Sequence, residues 1–255
     1  MLYLKRMLPY KSVPVLMYHQ IAMPTVEQEA LELAVSAGRF ELQMIYLREQ
    51  GFTSITLSEI NKLDLEGGDL RKKLAITFDD GYLDNYDEAF PILKQYDFSA
   101  TIFLTTDFVG KTHAWGLGQQ HRYMDWHHCR ELAMEGISFQ SHTCSHPDLT
   151  MVSDEAIIRE VTISRKVIED ILGIPVQHLS YPFGRYDRRV IELTKAAGYE
   201  SAYASGLSER GRFCGERFRV RSFEGVWAFS LKTNVWSSWI RSLWNVRSLF
   251  RYANK

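Results

Sequence analysis

Cysteine is scarce in this chain: there are three in 255 residues, and Cys129, Cys144 and Cys214 show no Cys-x-x-Cys spacing. An odd, scattered set argues against a disulfide framework and against a cysteine zinc site, and reads as buried thiols or a reducing compartment. Long hydrophobic runs are also lacking. Nowhere do about 18 apolar residues stand together, as a membrane-spanning helix requires. Residues 1–14 carry Lys5, Arg6 and Lys11 but no apolar stretch or small-residue cleavage site of the secretory kind. These absences predict a cytoplasmic protein or one peripheral to the inner membrane face. Charge of one sign is missing as well. Lysine and arginine total 30 against 31 acidic residues, a net charge of −1, so no basic field invites nucleic acid.

What the chain does have is a regular alternation. Apolar, β-branched runs at 13–18, 54–57, 74–78, 100–105, 137–140, 178–181, 201–204 and 219–223 read as strands. Helical patterns lie between them at 40–50, 86–95, 126–135, 155–172 and 188–197. Gly51, Gly136, Gly173 and Gly198 stand where helix C-termini need a left-handed residue. In the helix at 155–172, Ile157, Val161, Ile168 and Leu172 form one apolar stripe, with Ser153 as N-cap and Pro175 barring continuation. Strand–helix alternation implies a parallel sheet, and about seven such units suggest an α/β barrel, with an open doubly wound sheet as the competing architecture. The expected layout is a short N-terminal segment at 1–12, one domain at 13–226, and a tail at 227–255. The acidic connection at 20–38 and the segment at 112–122 read as surface loops, the first with some promise as a lid.

Four polar clusters follow predicted strands. Thr77-Phe78-Asp79-Asp80-Gly81-Tyr82 places two carboxylates directly after an apolar strand. Alone, Asp-Asp-Gly is a turn. At the carboxyl end of a parallel strand, where sites assemble, two acids that a cation would compensate point to function. Ser141-His142-Thr143-Cys144-Ser145-His146 offers two imidazoles at i and i+4. An isolated pair of this kind is usually surface decoration, but with one of the two carboxylates it makes a His₂Asp set open to water and substrate. Tyr181-Pro182-Phe183-Gly184 ends a strand with free backbone N–H groups that suit an oxyanion. Tyr18-His19 ends the first strand, and a lone histidine there is ordinarily a packed or exposed residue. Its claim rests on the other three clusters lying at the same rim.

Taken together, these segments resemble the polysaccharide deacetylase family, the NodB-homology or carbohydrate esterase family 4 enzymes, over roughly residues 13–206. The resemblance implies a deformed (β/α)₇ barrel and a divalent metal, usually zinc or another divalent transition metal. It implies Asp79 as catalytic base, Asp80, His142 and His146 as metal ligands, and the Phe183 N–H as oxyanion donor. The family's usual arginine two residues before the proline is Ser180 here, so the brace for the base is missing. The usual late acid histidine is also missing, whereas Leu16-Met17-Tyr18-His19 is similar to the circularly permuted branch that includes poly-N-acetylglucosamine deacetylases, with His19 as the acid and His178 in reserve.

The implied activity is metal-assisted removal of N-acetyl groups from amino sugars of a polysaccharide or exopolysaccharide precursor, with an N-acetylated carbohydrate as partner. Rival readings are a deacetylase or deformylase of a lipid- or nucleotide-linked amino sugar, and an inactive carbohydrate-binding barrel. A substrate panel separates the first and absence of bound metal favours the second. In the tail, Trp236, Trp239, Ile240, Leu243, Trp244 and Phe250 recur at helical spacing among Arg241, Arg247 and Arg251. This amphipathic helix suits either peripheral membrane contact or a cover for the barrel.

Overall fold

The computed structural model describes residues 13–23, 33–66, 68–115, 119–205 and 211–233. The chain opens with β1 (Val15–Tyr18), β2 (Gln20–Ile21), β3 (Ala34–Val35) and α1 (Ala37–Glu49). Next come β4 (Thr53–Ser54), α2 (Leu57–Glu66) and β5 (Lys73–Phe78), then a π turn at Asn85–Ala89 running into α3 (Phe90–Gln95). β6 (Thr101–Leu104), β7 (Thr112–Trp115), β8 (Gln119–Arg122), α4 (Trp126–Met134) and β9 (Ser138–Ser141) precede the long α5 (Asp154–Leu172). The remainder is β10 (His178–Ser180), α6 (Arg188–Ala196), β11 (Ser201–Tyr203), β12 (Phe218–Arg219) and α7 (Val226–Thr233).

Parallel pairing runs in the order β11-β10-β9-β6-β5-β1-β12, with β4 beside the start of β5. The ring closes through the stretch before β12: Gly215 pairs with Tyr203 on β11, and three residues later Phe218 pairs with Leu16 on β1. The result is a deformed (β/α)₇ barrel in which the first strand sits between β5 and the last. In β1, β5, β6, β9, β10 and β11 nearly every residue is buried, as expected when helices cover the outside of a parallel sheet. Tyr18, Phe40 and Phe78 pack ring on ring between β1, α1 and β5, at centroid separations of 5.1–5.9 Å. That contact fixes the two strands whose ends carry His19 and Asp79.

The helix at 155–172 behaves as its stripe predicts. Ile157, Val161 and Ile168 are fully buried, Ser153 Oγ accepts the Ala156 N–H, and Gly173 ends the helix in the left-handed region. Other expectations need correcting. The run at 54–57 is strand only to Ser54, because Thr56-Leu57-Ser58-Glu59 is a capping box. Glu59 Oε2 accepts the Thr56 N–H at 2.7 Å, and Thr56 Oγ1 accepts the Glu59 N–H at 3.2 Å, so a helix begins there. The segment at 112–122 is the antiparallel hairpin β7–β8, not an irregular loop. The last strand starts earlier and ends sooner than 219–223, since the Glu224 N–H turns back to Arg221 O. The tail's first turns form α7, whose Phe229 is buried against Tyr46 of α1. The expectations for 1–12 and for the aromatic repeat beyond 233 fall outside the described residues. Among the described residues no helix is long and apolar enough to cross a membrane.

His178 lies at the amino-terminal ends of the strands, opposite the rim where Asp79 and His142 emerge. Its Nε2 meets Ser58 Oγ of α2 and its Nδ1 meets Ser201 Oγ of β11, each at 2.8 Å. It ties the barrel floor and has no route to the reserve role. His178→Ala should lower the unfolding free energy by about 1–3 kcal/mol, read as a lower urea midpoint at unchanged slope. An unmoved midpoint would show that this trio does not hold the floor.

Candidate active site

Strand register brings the four clusters together. Tyr18 is level with Phe78, so His19 and Asp79 leave adjacent strands side by side, and the Asp79 N–H bonds Tyr18 O at 3.0 Å. Ser141 is level with Leu179, which sets His142 beside Ser180. His142 Nδ1 lies 2.8 Å from Ser180 O. A carbonyl oxygen only accepts, so Nδ1 carries the proton and Nε2 presents its lone pair to the rim. His146 Nε2 is 3.1 Å from His142 Nε2, and Asp80 Oδ1 lies 3.6 Å from the first and 3.4 Å from the second.

One ligand atom from each of Asp80, His142 and His146 thus falls within 4.8 Å of the others. Asp80 Oδ1 is buried and has no hydrogen-bond donor among the described residues, while Tyr82 serves the same carboxylate elsewhere. A buried, underused carboxylate oxygen facing two imidazole lone pairs is what a divalent cation satisfies, and two nitrogens with one oxygen suit a zinc-like ion. Burial holds His146 at about 4 and also lowers His142, so both imidazoles are neutral and able to ligate near pH 7.

Asp79 is held quite differently. Arg217 donates Nη1 to Asp79 Oδ1 at 2.6 Å and Nη2 to Oδ2 at 2.7 Å, a two-pronged pair with both side chains buried. Burial alone would raise the Asp79 carboxyl, but Arg217, with His142 and His19, pulls it well below the usual carboxylate range. The missing brace is therefore present but supplied from another place in the chain. Ser180 is small enough to let Arg217 in, and its Oγ accepts from Arg217 Nη2 at 2.7 Å. Nothing near Arg217 in the sequence announces this, because 138 residues separate it from Asp79. Only barrel closure brings them together.

His19 is pushed down to about 3, first by burial and then by Arg219, Arg217 and His142, against the opposing pull of Asp79. Its backbone is pinned from the loop after β5, a feature the sequence did not flag. Asn85 Nδ2 donates to His19 O at 2.8 Å, and Asp84 accepts from the Ile21 N–H at 2.9 Å and from Gln20 Nε2 at 3.1 Å. Asn85 starts the π turn, a local widening that often marks functional segments.

Strain concentrates here. Of the six non-glycine residues with positive φ among the described residues, four belong to the clusters: Asp80, Thr143, His146 and Phe183. Each such conformation costs of order 1–3 kcal/mol and persists only where its surroundings over-determine it. At Phe183 the turn is closed by the N–H groups of Gly184 and Arg185, bonding Tyr181 O and Pro182 O. Gly184 is required there, since a Cβ would meet the Ser205 backbone nitrogen at 2.7 Å. The Phe183 ring is 54% exposed and stands edge-to-face on His146, its centroid 4.7 Å away.

A parallel barrel with an Asp-His-His set at its carboxyl rim, and a clamped second aspartate beside it, belongs to the class of barrel hydrolases. The model of the family described as polysaccharide deacetylase matches residues 66–202. YxkH of Bacillus subtilis, whose name places it among the polysaccharide deacetylases, is 31% identical over 84% of this chain and 73% of its own length. A poly-beta-1,6-N-acetyl-D-glucosamine N-deacetylase of Staphylococcus aureus is 26% identical over 72% of this chain and 64% of its own length. Among solved structures, the Streptococcus pyogenes deacetylase PplD, in complex with acetate, superposes with a TM-score of 0.77 at 25% identity, covering 87% of this chain and 98% of that one. The chain belongs to the polysaccharide deacetylase family and is a hydrolytic deacetylase.

Burial raises Asp80 to about 6 in the absence of a cation. The folded carboxyl thus binds its proton more tightly than an unfolded one. Its contribution to stability is fully present below the unfolded value of 3.8 and is lost as pH rises through about 6. Metal-free Asp80→Asn should therefore melt above metal-free wild type at pH 8, with the gap closing by pH 4. Calorimetry in chelator checks this, and a variant melting lower at pH 8 would contradict it.

Proposed function

We propose that the protein is a zinc-dependent N-deacetylase acting on the N-acetylglucosamine units of a polysaccharide, with β-1,6-linked polymer as the first substrate to test. The observation that carries the reading is the division of labour between adjacent aspartates. Asp80 faces His142 and His146 with an unsatisfied oxygen, while Asp79 is held out of that set by Arg217. The Staphylococcus aureus relative supports the choice of sugar.

Asp80, His142 and His146 would hold the ion, which supplies Lewis-acid polarisation and a more acidic water. Asp79, ionised at every working pH because of Arg217, takes the proton from the attacking water. Its two oxygens are oriented by the guanidinium, so the base does not rotate away from the reacting carbon. The Phe183 N–H receives the charge that develops on the acetamido oxygen, a donor type whose removal costs about 2.7–4 kcal/mol. His19 delivers a proton to the departing sugar nitrogen. It enters the reaction neutral, so its proton arrives during turnover, and Asp79, its electrostatic neighbour, has just gained one. The balance is one water consumed, one amide bond broken, and a free amine and acetate released.

Zinc-loaded protein incubated with β-1,6-linked N-acetylglucosamine oligomers should release acetate, and thorough chelation should stop it. Asp79→Asn should keep zinc binding while losing roughly 10²–10⁴-fold in kcat. Full activity in either the chelated protein or this variant would sink the proposal. A parallel assay on a lipid-linked amino sugar separates polymer from precursor.

A further inference from the structure

Helix α5 buries a carboxylate that packing does not require. Glu160 shares the inward face with Ile157, Val161, Ser164 and Ile168 and is 3% exposed. Among the described residues its one ion-pair partner, Arg159, stands 3.9 Å away with a side chain 68% exposed. A buried charge in that position is tolerated only when donors saturate it. The donors all come from one place. Glu160 Oε2 accepts the N–H groups of Cys144 and Ser145, each at 2.8 Å, and Oε1 accepts Ser145 Oγ at 2.8 Å. These are the two residues immediately before His146, within the short link that joins it to His142.

We infer that Glu160 is a positioning residue that sets the two histidines at the spacing a metal ion needs. The inference rests on the metal-site reading above. The link between the histidines holds Thr143 at φ 68° and His146 at φ 60°, conformations that side-chain-bearing residues do not keep unaided. The Thr143 Oγ1 bond from the His146 N–H, at 3.1 Å, tightens the turn without anchoring it to the barrel. On the β6 side the Thr106 and Asp107 N–H groups bond Thr143 O and Cys144 O, at 3.2 Å and 2.9 Å, and Glu160 anchors the same link from the helix side. Its helix is in turn tied to the strand before His142 by Ser164 Oγ and Ser141 Oγ at 2.7 Å, so one rigid element governs both ends of the link. Glu160 bonds Cys144 and Ser145 and acts on the two histidines through the link they form, not by binding either imidazole.

Replacement by glutamine and by leucine separates positioning from simple stabilisation. Glu160→Gln keeps an oxygen for the two N–H groups, and its amide can donate to a Ser145 hydroxyl turned to accept. Glu160→Leu keeps the helix face packed and apolar but releases the link. With zinc titrated against a chromophoric chelator, Glu160→Gln should bind within about threefold of wild type, whereas Glu160→Leu should bind roughly 10–100-fold more weakly, the range for groups that orient metal ligands. Ser145→Ala, which removes one of the three bonds, should fall between them and keeps the test open if the leucine variant does not fold. Folded Glu160→Leu and Ser145→Ala proteins that bind zinc as tightly as wild type would overturn the inference while leaving the metal site standing. A wild-type protein that does not bind zinc would overturn both.

Discussion

Two neighbouring carboxylates emerge together, both buried, at the end of β5, and the rest of the site is arranged around their repulsion. Side by side and ionised, Asp79 and Asp80 would repel strongly at low dielectric, and neither could remain charged without a counter-ion. The fold gives each a different answer. Arg217 neutralises Asp79 with a two-pronged pair, whereas Asp80 is left facing two imidazoles with an oxygen that lacks a donor. The environment, not the residue type, sets the two carboxylates apart.

That division depends on how the barrel is closed. β1 lies between β5 and β12, so the first strand delivers His19 on one side of Asp79, while the chain entering the last strand delivers Arg217. Ser180 on β10 completes the arrangement by being small and by accepting from the same guanidinium. The arginine thus arrives from a different strand than the one the family pattern would use, yet it reaches the same carboxylate. What the chemistry constrains is the position of the charge in space; which strand supplies it is free to change.

The rim also shows where the fold accepts local cost. Left-handed backbone at Asp80, Thr143, His146 and Phe183 and an unsatisfied buried oxygen are all unfavourable taken singly. They are carried by elements that are themselves ordinary: a capped helix, an apolar aromatic cluster, and strands buried on both faces. Function here sits on strained loops carried by an unstrained scaffold.

Much of this was legible in the sequence because the signals are local. Strand–helix alternation, glycine at helix ends and the stripe of α5 specify a parallel α/β architecture, and Asp-Asp-Gly, His-x₃-His and Pro-Phe-Gly mark three strand ends as chemically unusual. The segments that read wrongly were those where short-range cues competed. Ser54-Ile55-Thr56-Leu57 reads as a β-branched strand, but its Thr56 caps a helix, and the segment at 112–122 has no clean alternation to reveal a hairpin. What the sequence by itself determined was the architecture and the kinds of side chain at the rim, since periodicity and residue chemistry act over a few neighbours. Only the tertiary structure decided which aspartate is clamped, where the clamp comes from, and that His178 faces the floor. Those outcomes depend on strand register and ring closure, which bring residues more than a hundred positions apart within hydrogen-bonding distance.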